Sequence, residues 1–203
     1  MMANYEYIIA SLPAISREWK FGEGRSLDTY VEWIKSQLSP KDIKIVDKLL
    51  DGFKEENLGL GFYEEALKDS NRFIREFFRF DLCFRNVKAR FVNKVFGRPV
   101  SQDTIALETG EFPEESKIAE VLAGKDIFAR ERGLDDIKWE KISELTTFNY
   151  FDIDVILAVI AKMNMIERWR ALDPETGREM FQNLIDETRG TFGGVNYVAP
   201  ANE

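Results

Sequence analysis

Among its 203 residues the chain has no histidine and a single cysteine. The first absence removes the commonest metal ligand and the commonest general base at neutral pH. The second rules out an internal disulfide and a cysteine zinc site within one chain. Cys83 sits in Phe80-Asp81-Leu82-Cys83-Phe84 with no histidine to activate it, so it reads as a small buried hydrophobe rather than a nucleophile. Long apolar runs are missing too. The longest, Val155 to Ala161, has seven residues, far below the roughly 18 needed to span a bilayer. The opening Met1 to Tyr7 lacks the basic flank and apolar core of a secretion signal. These absences point to a soluble cytoplasmic protein without direct membrane insertion.

The composition is that of an ordinary folded protein, 44% hydrophobic and 32% charged, with a net charge of −8. An acidic total argues against general coating of nucleic acid, which works by neutralising phosphates. The charge is not evenly spread. Asn71 to Arg98 holds eight basic residues against Glu76 and Asp81, a local balance of +6. The rest of the chain therefore sums to −14. Segregation on that scale calls for an electrostatic partner, inside the molecule or outside it.

Apolar spacing indicates a mainly α, all-helical protein with at most a minor N-terminal β element. Tyr5 to Ala10 is aromatic and β-branched and stops at Leu12-Pro13, the pattern of a short strand. Ser26 and Ser39-Pro40 are helix-start signals. A helical pattern then runs from about Phe62 to Phe96, with Gly97 and Pro99 ending it. Residues 99–113 read as a loop, followed by short helices over Glu114 to Leu122 and Asp136 to Leu145. Asp152 to Trp169 is apolar on both sides and should be buried on both. Asp173-Pro174 starts a last helix that Gly190 ends. The expected organisation is one helical domain over 1–190, with 99–113 the place where two packed subdomains would divide, and a flexible tail over 191–203.

At about 100° per residue, Phe73, Phe77, Phe80, Phe84, Val87, Phe91 and Val95 share one face of the basic helix, the spacing a core requires. Arg72, Arg75, Arg79, Asn86, Arg90, Asn93 and Lys94 share a flank. These without Asn93, and with Arg85 added, form the candidate partner-binding set: Arg72, Arg75, Arg79, Arg85, Asn86, Arg90 and Lys94. Two readings stand side by side. The flank pairs with acidic helices of its own chain, or it receives an acidic partner through the planar arginine fork.

Signals of catalysis are thin. Glu108, Glu111 and Glu114 repeat at the three-residue spacing that holds magnesium on helices, but Gly110 and Pro113 break any helix there. Gly22-Glu23-Gly24 and Gly59-Leu60-Gly61 lack the lysine and spacing of a phosphate loop. Glu167-Arg168-Trp169-Arg170 reads as a structural tryptophan anchor before a partner-facing helix end. No catalytic residue, metal site or cofactor is indicated.

Three pieces together carry a resemblance. Tyr5-x-Tyr7-Ile8-Ile9-Ala10-Ser11-Leu12-Pro13 opens the chain, and Arg85-Asn86 lies in a basic helix that ends at Phe96-Gly97-Arg98. Asp152-x-Asp154-x-Ile156-Leu157-Ala158 leads to Ile166-Glu167-Arg168-Trp169, with Leu172-Asp173-x-Glu175-x-Gly177-x-x-x-Phe181 behind it. The chain thereby resembles a bacterial family found with V-type ATPase (ATP synthase) subunits, which looks like a shortened relative of the central-stalk component designated C, or d in eukaryotes. The resemblance implies an all-helical, non-catalytic socket between the central shaft and the membrane rotor ring of a proton- or sodium-transporting motor. It further implies peripheral membrane association through those partners. The alternatives are a helical RNA- or nucleotide-binding module using the basic face of helix 62–96, and a magnesium-dependent phosphohydrolase built on Glu108, Glu111 and Glu114.

Overall fold

Side chains at the helix starts set most of the boundaries in the computed structural model, which describes residues 4–171. Ser26 accepts from the Thr29 N–H and opens α2 (Leu27–Gln37). Ser39 accepts from the Asp42 N–H and, with proline at the first position, opens α3 (Pro40–Asp51). Both satisfy donors that a bare helix start would leave orphaned. A 3-10 turn (Glu55–Asn57) leads to α4 (Leu60–Ala66). Asn71 caps α5 (Arg72–Val95), which ends in paired bonds from Gly97 to the Lys94 carbonyl and from Arg98 to the Asn93 carbonyl. Beyond the loop lie α6 (Glu115–Leu122), α7 (Ile127–Leu145), capped by Asp126, and α8 (Ile153–Ala171). The fold is all-α, with no strand among the described residues. No helix among them is long and apolar enough to cross a membrane.

Three expectations need correction. The segment read as a strand is α1 (Tyr5–Ser11), capped by the Asn4 side chain on the Tyr7 N–H. Its β-forming residues are overruled by packing, because a helix lets Ile8 bury completely while Tyr5 reaches α3. The Tyr5 hydroxyl donates to Asp42 at 3.0 Å. Burial, and then that carboxylate, push its pKa up to about 12.

The helical run from 62 to 96 is two helices. The chain turns at residues 67–71, where Asp69 accepts from the Asn71 N–H at 2.8 Å and the Asn71 side chain in turn accepts from the Ile74 N–H. The helix expected to start near Asp136 starts at Ile127 instead, passing through Gly133. A Cβ on Gly133 would lie 2.9 Å from Val121 Cγ1, so this glycine marks a close approach of α6 and α7, not a break. The helix expected over 173–190 and the tail over 191–203 fall outside the described residues.

α5 runs through the centre and packs against α3, α4, α6, α7 and α8. Its first half (Phe73, Ile74, Phe78, Leu82) enters one hydrophobic cluster with Ile8, Ile34, Leu49, Tyr63, Leu157 and Ile160. Another of its faces (Phe80, Phe84, Val87) enters a second cluster with Ile118, Leu122, Leu134 and Ile137. The second cluster joins residues from both sides of the 99–113 loop. Along α8 the side chains from Asp152 to Glu167 are all buried or half-buried, as its apolar pattern requires. Cys83 is buried.

Candidate docking surface

The polar flank of α5 turns toward its own chain. Arg79 donates to the Thr109 carbonyl at 3.0 Å and pairs with Glu76 at 3.1 Å. Asn86 donates from Nδ2 to the Ile105 carbonyl at 2.9 Å and accepts the Ile105 N–H on Oδ1 at 3.0 Å. Asn93, buried, donates to the Gln102 carbonyl at 2.5 Å. These three residues stand seven apart, two helical turns each, so they line up as a stripe. Their partners descend from 109 to 102 as the helix ascends. Residues 99–113 are thus strapped antiparallel along α5, with Ile105 and Leu107 packed on the first cluster. Arg90 ties α5 to the start of α6, just past the strap, through Glu115 at 2.8 Å.

The remaining candidates divide. Arg75 donates to the Asp69 carbonyl at 2.8 Å and so braces the α4–α5 turn. Arg72 donates to the Leu145 carbonyl at 2.6 Å and to Asn149 Oδ1 at 3.2 Å, reaching the α7–α8 loop. Lys94 is exposed and makes no ion pair among the described residues. Most of the flank's donors therefore meet main-chain carbonyls, a class of partner that a charge count does not reveal.

Arg85 belongs to a separate cluster around Asp81, which is buried. Asp81 accepts from the Tyr63 hydroxyl at 2.7 Å and from Arg85 Nε at 2.8 Å, and Lys138 Nζ stands 3.7 Å away. Burial first, and the Asp81 charge second, push the fully buried Tyr63 hydroxyl well above its usual pKa. Burial opposes the Arg85 charge, but Asp81, Tyr63 and Glu55 together outweigh it and the guanidinium titrates above its ordinary value. Burial lowers the Lys138 ammonium, with Asp81 pulling the other way. A cavity of about 490 Å³ opens beside this cluster, at the seam between the two hydrophobic clusters. Its second buried acid, Asp135, accepts from Arg168 and from Trp169 Nε1 at 2.5 Å. Trp169 is thereby an anchor. With each carboxylate matched to a cation, the seam acts as a buried ionic joint between α5, α7 and α8.

Glu114 pairs with Lys141 at 2.9 Å, and Glu108 and Glu111 lie on the non-helical strap. Among the described residues no three acidic or cysteine side chains gather in a way that could hold a metal.

Sequence reasoning missed the surface itself. Between α7 and α8, Phe148, Tyr150 and Phe151 stand 89%, 70% and 58% exposed. Three aromatics in four residues of loop cannot share a helical face with a core, and that was the available signal. The loop is held while its rings face outward: Arg72 grips Leu145 and Asn149, and Asn149 donates to Asp152 at 2.5 Å. A second apolar group, Val95, Phe96 and Val100, is exposed at the other end of α5. Arg72 and Val95 bound a 24-residue helix, so the two groups are roughly 35 Å apart at 1.5 Å per residue. Clustered exposed apolar side chains mark contact sites.

A family model described as "Protein of unknown function (DUF2764)" matches residues 53–126 and 108–191, which together span more than half of the chain. No curated protein and no solved structure matches it.

Proposed function

The chain belongs to the DUF2764 family of proteins of unknown function, and we propose that it is a non-catalytic assembly subunit of a V-type ATPase. In this reading it docks between the central shaft and the membrane rotor ring, in the cytoplasm, and reaches the membrane only through those partners. The resemblance in sequence supplies the assembly. The observation that carries the docking role is the exposed aromatic loop of Phe148, Tyr150 and Phe151, set against a second apolar group at the opposite end of α5. A braced helix with a contact surface at each end suits a spacer between two bodies.

The arginine flank has a different part here from the one its charge suggests. It holds the strap and the aromatic loop in place, and so shapes the surface from behind. The rival reading, RNA or nucleotide on the face of helix 62–96, loses support from the same geometry, because Arg79, Asn86 and Asn93 already donate to the strap.

The test is a pull-down of tagged full-length protein from its native membranes. Wild type should recover V-type ATPase subunits, and Phe148→Ser with Tyr150→Ser should recover them weakly or not at all. Arg79→Glu with Arg90→Glu, which loosens the strap, should retain recovery as long as the protein stays folded. Recovery of RNA in place of ATPase subunits, lost on raising salt, would establish the rival.

A further inference from the structure

A cavity of about 390 Å³ lies away from α5, where the loop before α2 meets α7 and α8. That size falls within the range of about 300–1,000 Å³ that holds small organic molecules. Three of the chain's four tryptophans line it, Trp19, Trp139 and Trp169, together with Phe21. All four rings are half-buried. They come from three distant segments, held by ring contacts such as Trp19 on Phe21 at 4.7 Å and Phe128 on Trp169 at 5.4 Å.

The charges around the opening are unequal. Arg17 is matched by Asp136 at 2.9 Å and Arg170 by Glu167 at 3.6 Å. Asp135 is saturated by Arg168 and the Trp169 N–H. Lys20 and Arg132 also line the cavity, and neither makes an ion pair among the described residues. Glu18 is the single lining carboxylate in the same position, and it is exposed on a turn. The Arg132 guanidinium lies 5.3 Å from the centre of the Trp169 ring, which fixes its charge at the wall.

The existing stacking narrows the ligand. Arg132 and Arg168 already cover Trp169, Lys162 covers Trp139, and Arg170 covers Phe21. With cations on those rings, and with Lys20 and Arg132 against Glu18 left without ion pairs among the described residues, a cationic guest has no free aromatic cage to enter. An apolar body with a negative end meets a complementary wall and rim.

We propose that this cavity binds a small amphipathic carboxylate, its apolar body against Trp19, Trp139 and Ile166 and its charge toward Lys20 and Arg132. The site is separate from both apolar groups of the docking surface and stands or falls independently of it.

Full-length protein would be titrated with decanoate, with 3-phenylpropanoate, and with decanol as the uncharged control, reading tryptophan fluorescence. At least one carboxylate should give a saturable change and bind about tenfold more tightly than decanol, the scale expected of partly exposed charge pairs. The comparison of decanoate with 3-phenylpropanoate tells an aliphatic body from an aromatic one. Trp33, on α2 beside Tyr7 at 6.3 Å, is outside the cavity, so Trp33→Phe should keep the full response. Lys20→Ala with Arg132→Gln should abolish the preference for carboxylate over decanol. Lys20→Glu alone, at an exposed position, provides the same reading if the double variant unfolds. Equal affinity for decanol and decanoate, a preference that survives these substitutions, or no saturable response to any of the three would overturn the proposal.

Discussion

Asn86 on α5 grips Ile105 twice, donating to its carbonyl at 2.9 Å and accepting its N–H at 3.0 Å. One side chain thereby gives a loop residue the two main-chain bonds that a neighbouring strand would supply. Replacing it with alanine leaves both groups of Ile105 without partners. Asn86→Ala should cost about 2 kcal/mol in urea unfolding and open residues 99–113 to limited proteolysis. An unchanged digestion pattern would mean that the strap is held by Ile105 and Leu107 packing alone.

Arg72 should matter to docking without touching the partner. Arg72→Ala removes both of its bonds to the α7–α8 loop and leaves Phe148, Tyr150 and Phe151 intact. Amide exchange at residues 146–151 should accelerate while the rest of the chain keeps its protection. Recovery of partner subunits should fall less than it does with Phe148→Ser and Tyr150→Ser.

Gly52 tests the packing at the end of α3. A Cβ there would collide with Phe78 Cζ and stand 2.8 Å from Phe62 Cζ. Gly52→Ala should therefore destabilise by about 1–3 kcal/mol through overpacking. Combined with Phe78→Leu the cost should be less than the sum of the two single changes, because the smaller side chain makes room. Strict additivity would place the strain elsewhere.

Alkaline stability should carry the mark of Tyr5. Its pKa is raised from 10.0 to about 12 in the folded chain, so the folded state favours the protonated hydroxyl. That contribution is complete below pH 10 and is lost as pH rises from 10 toward about 12. Tyr5→Phe should be less stable than wild type near neutrality, and the difference should shrink over that window. A constant difference across it would assign the effect to packing in place of the bond to Asp42.

Local chemistry was the readable part of this sequence. Ser26, Ser39-Pro40 and Gly97 act through neighbours within a few residues, and the helix ends obey them. The α5 core face was visible for the same reason as far as Phe91, but Val95, expected on it, is 64% exposed because the helix end has run past both clusters. Elsewhere α5 buries a wider arc, with Ile74, Phe78 and Leu82 also inside because five helices surround it. What failed was decided at a distance. Tyr5 to Ser11 is helical because Ile8 and Tyr5 find α8 and α3, which its own residues do not disclose. The helix expected from Asp136 begins nine residues earlier, at Ile127, and Gly133 inside it is set by Val121, twelve residues away in sequence. The flank of α5 was open to two readings, acidic helices of its own chain or an acidic partner, and neither included the carbonyls of a loop, which charge counting does not register. The tryptophan cavity draws on residues 17–21, 132–139 and 165–170, and no single window of sequence contains it.

α5 contributes one wall to each of the two hydrophobic clusters, and its opposite ends cannot melt separately without exposing phenylalanines from both. Heat should therefore release the described helices in one cooperative event, with a calorimetric enthalpy equal to the van't Hoff value. The same coupling makes the spacing of the two exposed apolar groups a property of a rigid rod. A load applied to Phe148 at one end would reach Phe96 at the other without being absorbed by a hinge between them.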